Sequence, residues 1–468
     1  MDNHRRKFLQ KGITKPQLRW IRQANSIQFQ LQKRADAVSK KPSLDRLKNL
    51  VKAVYRAGNQ EEQKAAAVAA CSLLCTDDVP DARLLSQSKV LKMVVEFLKE
   101  VSLPFLQKQA ANALCKVACA SSGHASQILN LGAVPLLMDL LNSQDPEVCE
   151  QALAAVGNII GYGPSYTPFS IEPNLVEKLS IFVKQSSFLG TVAKVTRNLC
   201  GCLRMYSPVE LINSVIQTLD QLLNQTGKEI RRDTLLAIGN IAHHYTHNRI
   251  LSAHEGLMSK ILFFLLNNEF EVQKAALYAI DCILSGPKDQ HRVLLDLHLL
   301  LYLPALLSHS KESIRMKTLS ILFSISSGNK DQKQAIVDAG LLPPLLEIMK
   351  VGKATLKSAA VLVISNLIIG NNLDLSLYLI RQGIIPKFCT LLSCQDSGVI
   401  RNILDCLRYM LGMSGTLAEE LTEVIRMNQG IEKIKTLQFH EDFEVRSIAC
   451  QIIFKYDSSV LSPFNDPL

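Results

Sequence analysis

The sequence predicts an all-α solenoid, a fold in which one short helical unit is stacked many times over. Three observations carry that expectation. A string of small and apolar residues recurs at an almost constant interval, several intervals hold a glycine followed three residues later by a proline, and no segment alternates at a strand period for long. With 468 residues and 47% hydrophobic composition the chain can bury several cores, so a single compact domain is not expected.

The first element is a basic arm, expected over residues 1–45. Residues 1–50 hold thirteen Lys and Arg against the acids Asp2, Asp36 and Asp45, an excess of ten that equals the whole formal net charge of +10. Taking thirteen from 52 bases and three from 42 acids leaves 39 of each sign for the rest. Thr14, Pro16 and Gln17 read as a capping box with a proline in the first turn, so a helix is expected from there to about Val38, with Lys40, Lys41 and Pro42 as linker. Charge gathered in one terminal segment points to an acidic partner, and the charge alone leaves nucleic acid, membrane surface and acidic protein open.

The body follows, expected over 46–458. Its recurring string reads AANALCKVA from Ala110, QALAAVGNII from Gln151, TLLAIGNIA from Thr234, AALYAIDCI from Ala275, KTLSILFSI from Lys317 and VLVISNLI from Val361. Equivalent positions Asn112, Ala154, Lys194, Leu236, Tyr278, Ser320 and Leu362 are spaced by 42, 40, 42, 42, 42 and 42 residues. That interval is the armadillo or HEAT period and implies about ten repeats over this length. Gly132 with Pro135, Gly340 with Pro343 and Gly383 with Pro386 place a helix stop in a left-handed turn and a proline in the next first turn. In such a stack the same helix of every repeat lines the inner surface, and the recurring strings lie on that helix. Most Ala, Leu and Val positions there are core. Asn158, Asn198, Asn240 and Asn366 share one register, and a mid-helix amide needs a hydrogen-bond partner, either another repeat or a bound ligand. The tail, 459–468, is short and has no acidic run.

The twelve cysteines show no paired framework and no zinc spacing, and pairs such as Cys71 with Cys75 and Cys115 with Cys119 lie one turn apart in apolar helices. They read as small core residues of a reduced, cytosolic or nuclear protein. Arg5 and Arg6 interrupt any apolar start that a secretory signal would need. The longest uncharged run, Ser358 to Leu373, contains Asn366, Gly370, Asn371 and Asn372 and is short for a membrane span, so a soluble protein is expected. An enzyme is not expected: GxxxxGK[ST], GxGxxG and HExxH are all missing, and the cluster His243, His244 and His247 sits at a repeat turn and reads as structural or solvated. No cofactor or metal set is expected.

On these residues the chain resembles the importin alpha family. EQALAAVGNIIG from Glu150 is similar to that family's third-repeat motif with Ala154 in the tryptophan place. GNKDQKQAIVDAGLLPPLLEIM from Gly328 and GIEKIKTLQFHEDFEVRSIACQIIFKYDSS from Gly430 resemble other units of it. RRKFLQKG from Arg5, QLQKR from Gln30 and Lys40 with Lys41 resemble its importin-beta-binding segment. The resemblance implies a right-handed armadillo superhelix behind a basic helical arm, and a nuclear import adaptor shuttling between cytoplasm and nucleus. It implies importin beta bound through Arg5, Arg6, Phe8, Lys11, Arg19, Arg22, Leu31, Lys33, Arg34, Lys40 and Lys41. It also implies cargo nuclear localisation signals bound at Asn158, Asn198, Asn240 and Asn366, and the family's export receptor as a further partner. Neither nucleic acid nor membrane insertion is implied.

The departures are chemical. Family grooves stack cargo lysine stems between tryptophans, at about 0.5–2 kcal/mol per contact, whereas the one tryptophan here is Trp20, in the arm. The groove places hold Asn112, Ala154, Lys194, Tyr278, Ser320 and Leu362. The partner asparagine is replaced by Lys116, Cys282, Ser324 and Tyr409, and Tyr162 stands where the family has an aspartate. The expectation is an adaptor with altered cargo choice and weak autoinhibition by its own arm. The alternative is a non-transport armadillo scaffold with weak or no binding of basic signals.

Overall fold

The structure is a computed structural model that describes residues 60–75, 82–87, 89–166, 172–184, 187–203, 207–244, 254–286, 288–369, 373–412 and 416–456, with isolated positions 49, 52, 53, 56 and 251. Among these residues every regular element is helical, as the missing strand period predicts. The chain forms two compact units, Met1–His244 and Tyr245–Leu468. The expected arm (1–45), its helix from Thr14 and the tail (459–468) lie outside the described residues.

In the first unit, α1 (Gln60–Leu74) is followed by α2 (Ala82–Gln87), α3 (Val90–Phe97) and α4 (Pro104–Ala120), then by α5 (Ser122–Asn130), α6 (Ala133–Leu140) and α7 (Pro146–Ile160). The armadillo pattern is a short helix, a second helix and a long third helix. Next come α8 (Glu172–Phe182) with α9 (Leu189–Cys202), and α10 (Val209–Leu223) with α11 (Lys228–His244). In these two repeats the described residues show no separate short α-helix before α8 or α10. The third helices α1, α4, α7, α9 and α11 pack in series, each against the next.

The second unit repeats the plan. It comprises α12 (Glu255–Phe263) and α13 (Phe270–Leu284); α14 (Lys288–Asp296), α15 (Leu303–Leu307) and α16 (Glu312–Ser326); α17 (Lys330–Asp338), α18 (Leu342–Val351) and α19 (Ala354–Ile368). It closes with α20 (Leu373–Arg381), α21 (Ile384–Leu391) and α22 (Ser397–Leu411), then α23 (Thr416–Met427), α24 (Gly430–Leu437) and α25 (Phe443–Tyr456). Here α13, α16, α19, α22 and α25 are the third helices and again pack in series.

Local chemistry sets the boundaries. The Asp145 side chain accepts from the Glu147 N–H at 2.9 Å and Pro146 opens α7, where a missing N–H costs nothing. Asn329 and Gln332 form a reciprocal capping box at α17. Gly132, Gly340 and Gly383 take positive φ at 70°, 68° and 76°, the left-handed turn expected between first and second helices. Lys89, His298 and Gln429 occupy the same left-handed corner in other repeats without being glycine. Burial follows the recurring string: Ala110, Leu114, Ala152, Val156, Leu235, Ile238, Ala276, Ile280, Leu319 and Leu322 are all buried. These side chains fill the seams between third helices, and each repeat hides its apolar faces against its neighbours.

Candidate ligand-binding face

The four asparagines of the common register are placed alike, and each spends an N–H on the repeat before it. Asn158 Nδ2 donates to the Cys115 carbonyl and to Cys115 Sγ, both at 3.1 Å. Asn198 Nδ2 donates to the Gly157 carbonyl at 2.8 Å, and Asn240 Nδ2 to the Arg197 carbonyl at 3.4 Å. In the second unit, Asn366 Nδ2 donates to Ser326 Oγ and Ser327 Oγ at 3.1 and 2.9 Å. Glycines make room for two of these amides. A Cβ on Gly161 would lie 2.9 Å from Asn198 Nδ2, and one on Gly201 would lie 3.3 Å from Asn240 Nδ2. The amides therefore form a cross-repeat tie, and an amide has two N–H donors and a carbonyl, so one bond does not exhaust it. The arm residues Arg5, Arg6, Phe8, Lys11, Arg19, Arg22, Leu31, Lys33, Arg34, Lys40 and Lys41 lie outside the described residues.

The positions four residues before the amide register line the same helices. Asn112, Ala154, Leu236, Tyr278 and Ser320 are half-buried, while Lys194 and Leu362 are exposed. Tyr278 does not present a bare ring. Lys317 Nζ sits over it, 5.9 Å from the centroid, and is held there by the Asp281 carboxylate at 2.8 Å. Asp281 also accepts from Ser320 Oγ at 2.7 Å. The protein's own lysine thus makes the cation–π contact that a cargo lysine would seek. Burial, then the Cys282 thiol and Asp281, push the Tyr278 phenol up to about 12, so it stays a neutral donor.

In the first unit Lys108 pairs with Glu147, Thr191 Oγ1 donates to Glu150 at 3.1 Å, and Asp233, only 5% exposed, takes Arg197 at 2.8 Å and Arg232 at 3.0 Å. Sequence reading missed these clasps. Their signal was the period itself, since charged or polar partners on successive third helices fall 36 to 43 residues apart, as Arg197 with Asp233 and Arg401 with Glu444 do. Lys116 and Lys194 are exposed. Burial raises the Cys115 thiol to about 11, helped by Cys119, while Lys194 and Lys116 both act on it in the opposite sense. Tyr162 is 37% exposed and tilts against Tyr166, ring centroids 5.8 Å apart. Among the described residues no group of three or more His, Cys, Asp or Glu could hold a metal ion, and no helix is long and apolar enough to cross a membrane. An open cleft of about 970 Å³, lined by Leu98, Val101, Pro104, Leu140 and Asp145 among others, lies where the loops before α4 and α7 run and includes none of the amide row.

The Armadillo/beta-catenin-like repeat family matches residues 121–161, 329–369 and 374–412, which are the repeats ending in α7, α19 and α22. Importin subunit alpha-1b of Oryza sativa subsp. japonica is 27% identical over 82% of this chain and 74% of its own length. Importin subunit alpha-3 of Arabidopsis thaliana is 29% identical over 81% and 74%, and importin subunit alpha-7 of the same plant 29% over 93% and 86%. The crystal structure of an engineered protein superposes with a TM-score of 0.72 at 23% identity, over 87% of this chain and 98% of that one, a likeness of fold alone. The chain is thus an all-α armadillo-repeat protein, similar over about four-fifths of its length to importin alpha subunits at 27–29% identity.

Proposed function

We propose that the chain is a nuclear import adaptor. Cargo signals lie along the third-helix faces, where Asn158, Asn198, Asn240 and Asn366 offer their remaining amide groups, and importin beta is taken by residues 1–45. The observation that carries this reading is the similarity to importin alpha subunits across about four-fifths of the chain, combined with three amides in one register on successive third helices of the first unit and a fourth, Asn366, on α19. The family-level role is import adaptor; the altered groove is this chain's own. Shuttling between cytoplasm and nucleus, and return by an export receptor, follow from that role. Capture on immobilised importin beta tests it. The full chain is expected to bind, and a chain lacking residues 1–45 is expected to lose binding; arm-independent or absent capture refutes the assignment.

The internal use of amide N–H groups and the lysine seated on Tyr278 favour a second reading, a scaffold that binds proteins without transporting them. Blocking nuclear export separates the two. An adaptor accumulates in nuclei, a scaffold does not. Either reading expects a Lys/Arg-rich signal to bind far more weakly than on a tryptophan-lined groove, because each lost contact of about 1.4 kcal/mol is tenfold.

A further inference from the structure

The third-helix face of the first unit has more cations than it uses. Helices α4, α7 and α9 contain as charged residues only Lys108, Lys116, Glu147, Glu150, Lys194 and Arg197, four bases against two acids. Glu147 is paired with Lys108, Glu150 accepts from the Thr191 hydroxyl and keeps its charge, and Arg197 shares the Asp233 carboxylate with Arg232. Lys116 and Lys194 remain, both exposed, on the helices that flank α7, and no salt bridge forms at either among the described residues. Both ammonium groups act on one thiol, that of Cys115. Between them α7 presents the small half-buried Ala154 and, just beyond its end, come the exposed Gly161 and Tyr162.

A strip with two ammonium groups outside any salt bridge against one such carboxylate, a low floor and a phenol keeps a net positive charge, which disfavours a basic segment and attracts an anionic one. We propose that this face of α4, α7 and α9 receives an extended, acidic segment of a partner protein, with carboxylates meeting Lys116 and Lys194. The proposal rests on the reading that the third-helix face is the ligand face. Two helix spacings of about 8–10 Å need roughly five or six extended residues, which sets the length of the acidic stretch. Tyr162, a neutral phenol that burial pushes further up from its ordinary value, can donate at the edge of the strip.

The test uses the full chain and three short labelled peptides of equal length, one rich in Glu and Asp, one with Gln and Asn in their place, and one rich in Lys and Arg. Fluorescence anisotropy should show the acidic peptide binding most tightly, weakening as salt rises. The basic arm is present throughout and contributes a common background, so the decisive comparison is the double variant Lys116→Glu with Lys194→Glu. It should lose about tenfold in affinity for the acidic peptide, with an unchanged melting temperature, while Lys350→Glu on α18 changes nothing. Should the reversal disturb folding, Lys116→Gln with Lys194→Gln should still cost about threefold. Preference for the basic peptide, or acidic affinity indifferent to both double variants, overturns the inference and leaves importin beta capture untouched. Loss of importin beta capture with acidic binding intact breaks the transport reading instead.

Discussion

Asn198 shows how one side chain ties a repeat to the one before it. Its amide bridges to the Gly157 carbonyl at 2.8 Å, and Gly157 itself lets Val195 of α9 pack against bare backbone, since a Cβ there would overlap Val195 Cγ2. Asn198→Ala should lower stability by about 1 kcal/mol, the net worth of one hydrogen bond, read as an unchanged slope and lower midpoint in urea. Gly157→Ala should cost more, about 1–3 kcal/mol, because the seam between α7 and α9 cannot open without moving Val195. The sequence exposed the register of these asparagines through their spacing. It did not show that each N–H is already directed into the preceding repeat, because that depends on a helix 40 or so residues away and on the glycine beneath the amide. Tyr278 is similar: its place was legible, but the lysine over its ring comes from the next repeat and was not.

At the level of elements, the glycine corners were legible and the other corners were not. Gly132, Gly340 and Gly383 announce a left-handed residue, whereas Lys89, His298 and Gln429 adopt the same φ region with side chains that carry no such signal. Each of the three carries the backbone penalty that a glycine avoids. Gly132 has open space around a hypothetical Cβ, so Gly132→Ala should cost only the backbone term, about 1–2 kcal/mol. The clasp between α9 and α11 is worth more. Asp233 is buried and shared by two arginines that remain 28% and 33% exposed, so Asp233→Asn leaves both guanidinium groups without their anion yet still reached by water. We expect a loss of about 2 kcal/mol, below the cost for a fully buried pair, together with faster amide hydrogen exchange in α11. One repeat falls off the 42-residue rhythm: the unit ending in α9 is the one spaced by 40.

For the whole molecule, charge is divided by segment and the consequence is measurable. Some third-helix charges pair across repeats, as Lys108 with Glu147, Lys317 with Asp281 and Arg401 with Glu444 do, and the chain after residue 50 sums to zero. The fold class and its period could be read from composition and spacing because every repeat solves the same burial problem; the pairing partners could not, because they cross repeats. The first fifty residues carry the net charge of +10, thirteen bases against three acids. Removing them should therefore change the molecule's electrostatics far more than its stability. On a sulfonate exchanger at neutral pH the full chain should be retained to high salt. A chain starting at residue 51 should elute at much lower salt, held only by local patches such as the one around Lys116 and Lys194. Its melting temperature should stay within a few degrees if the arm makes few contacts with the repeats. A large fall in melting temperature would instead mean that the arm is packed on the body, and strong retention of the truncated chain would mean that the excess positive potential belongs to the repeats.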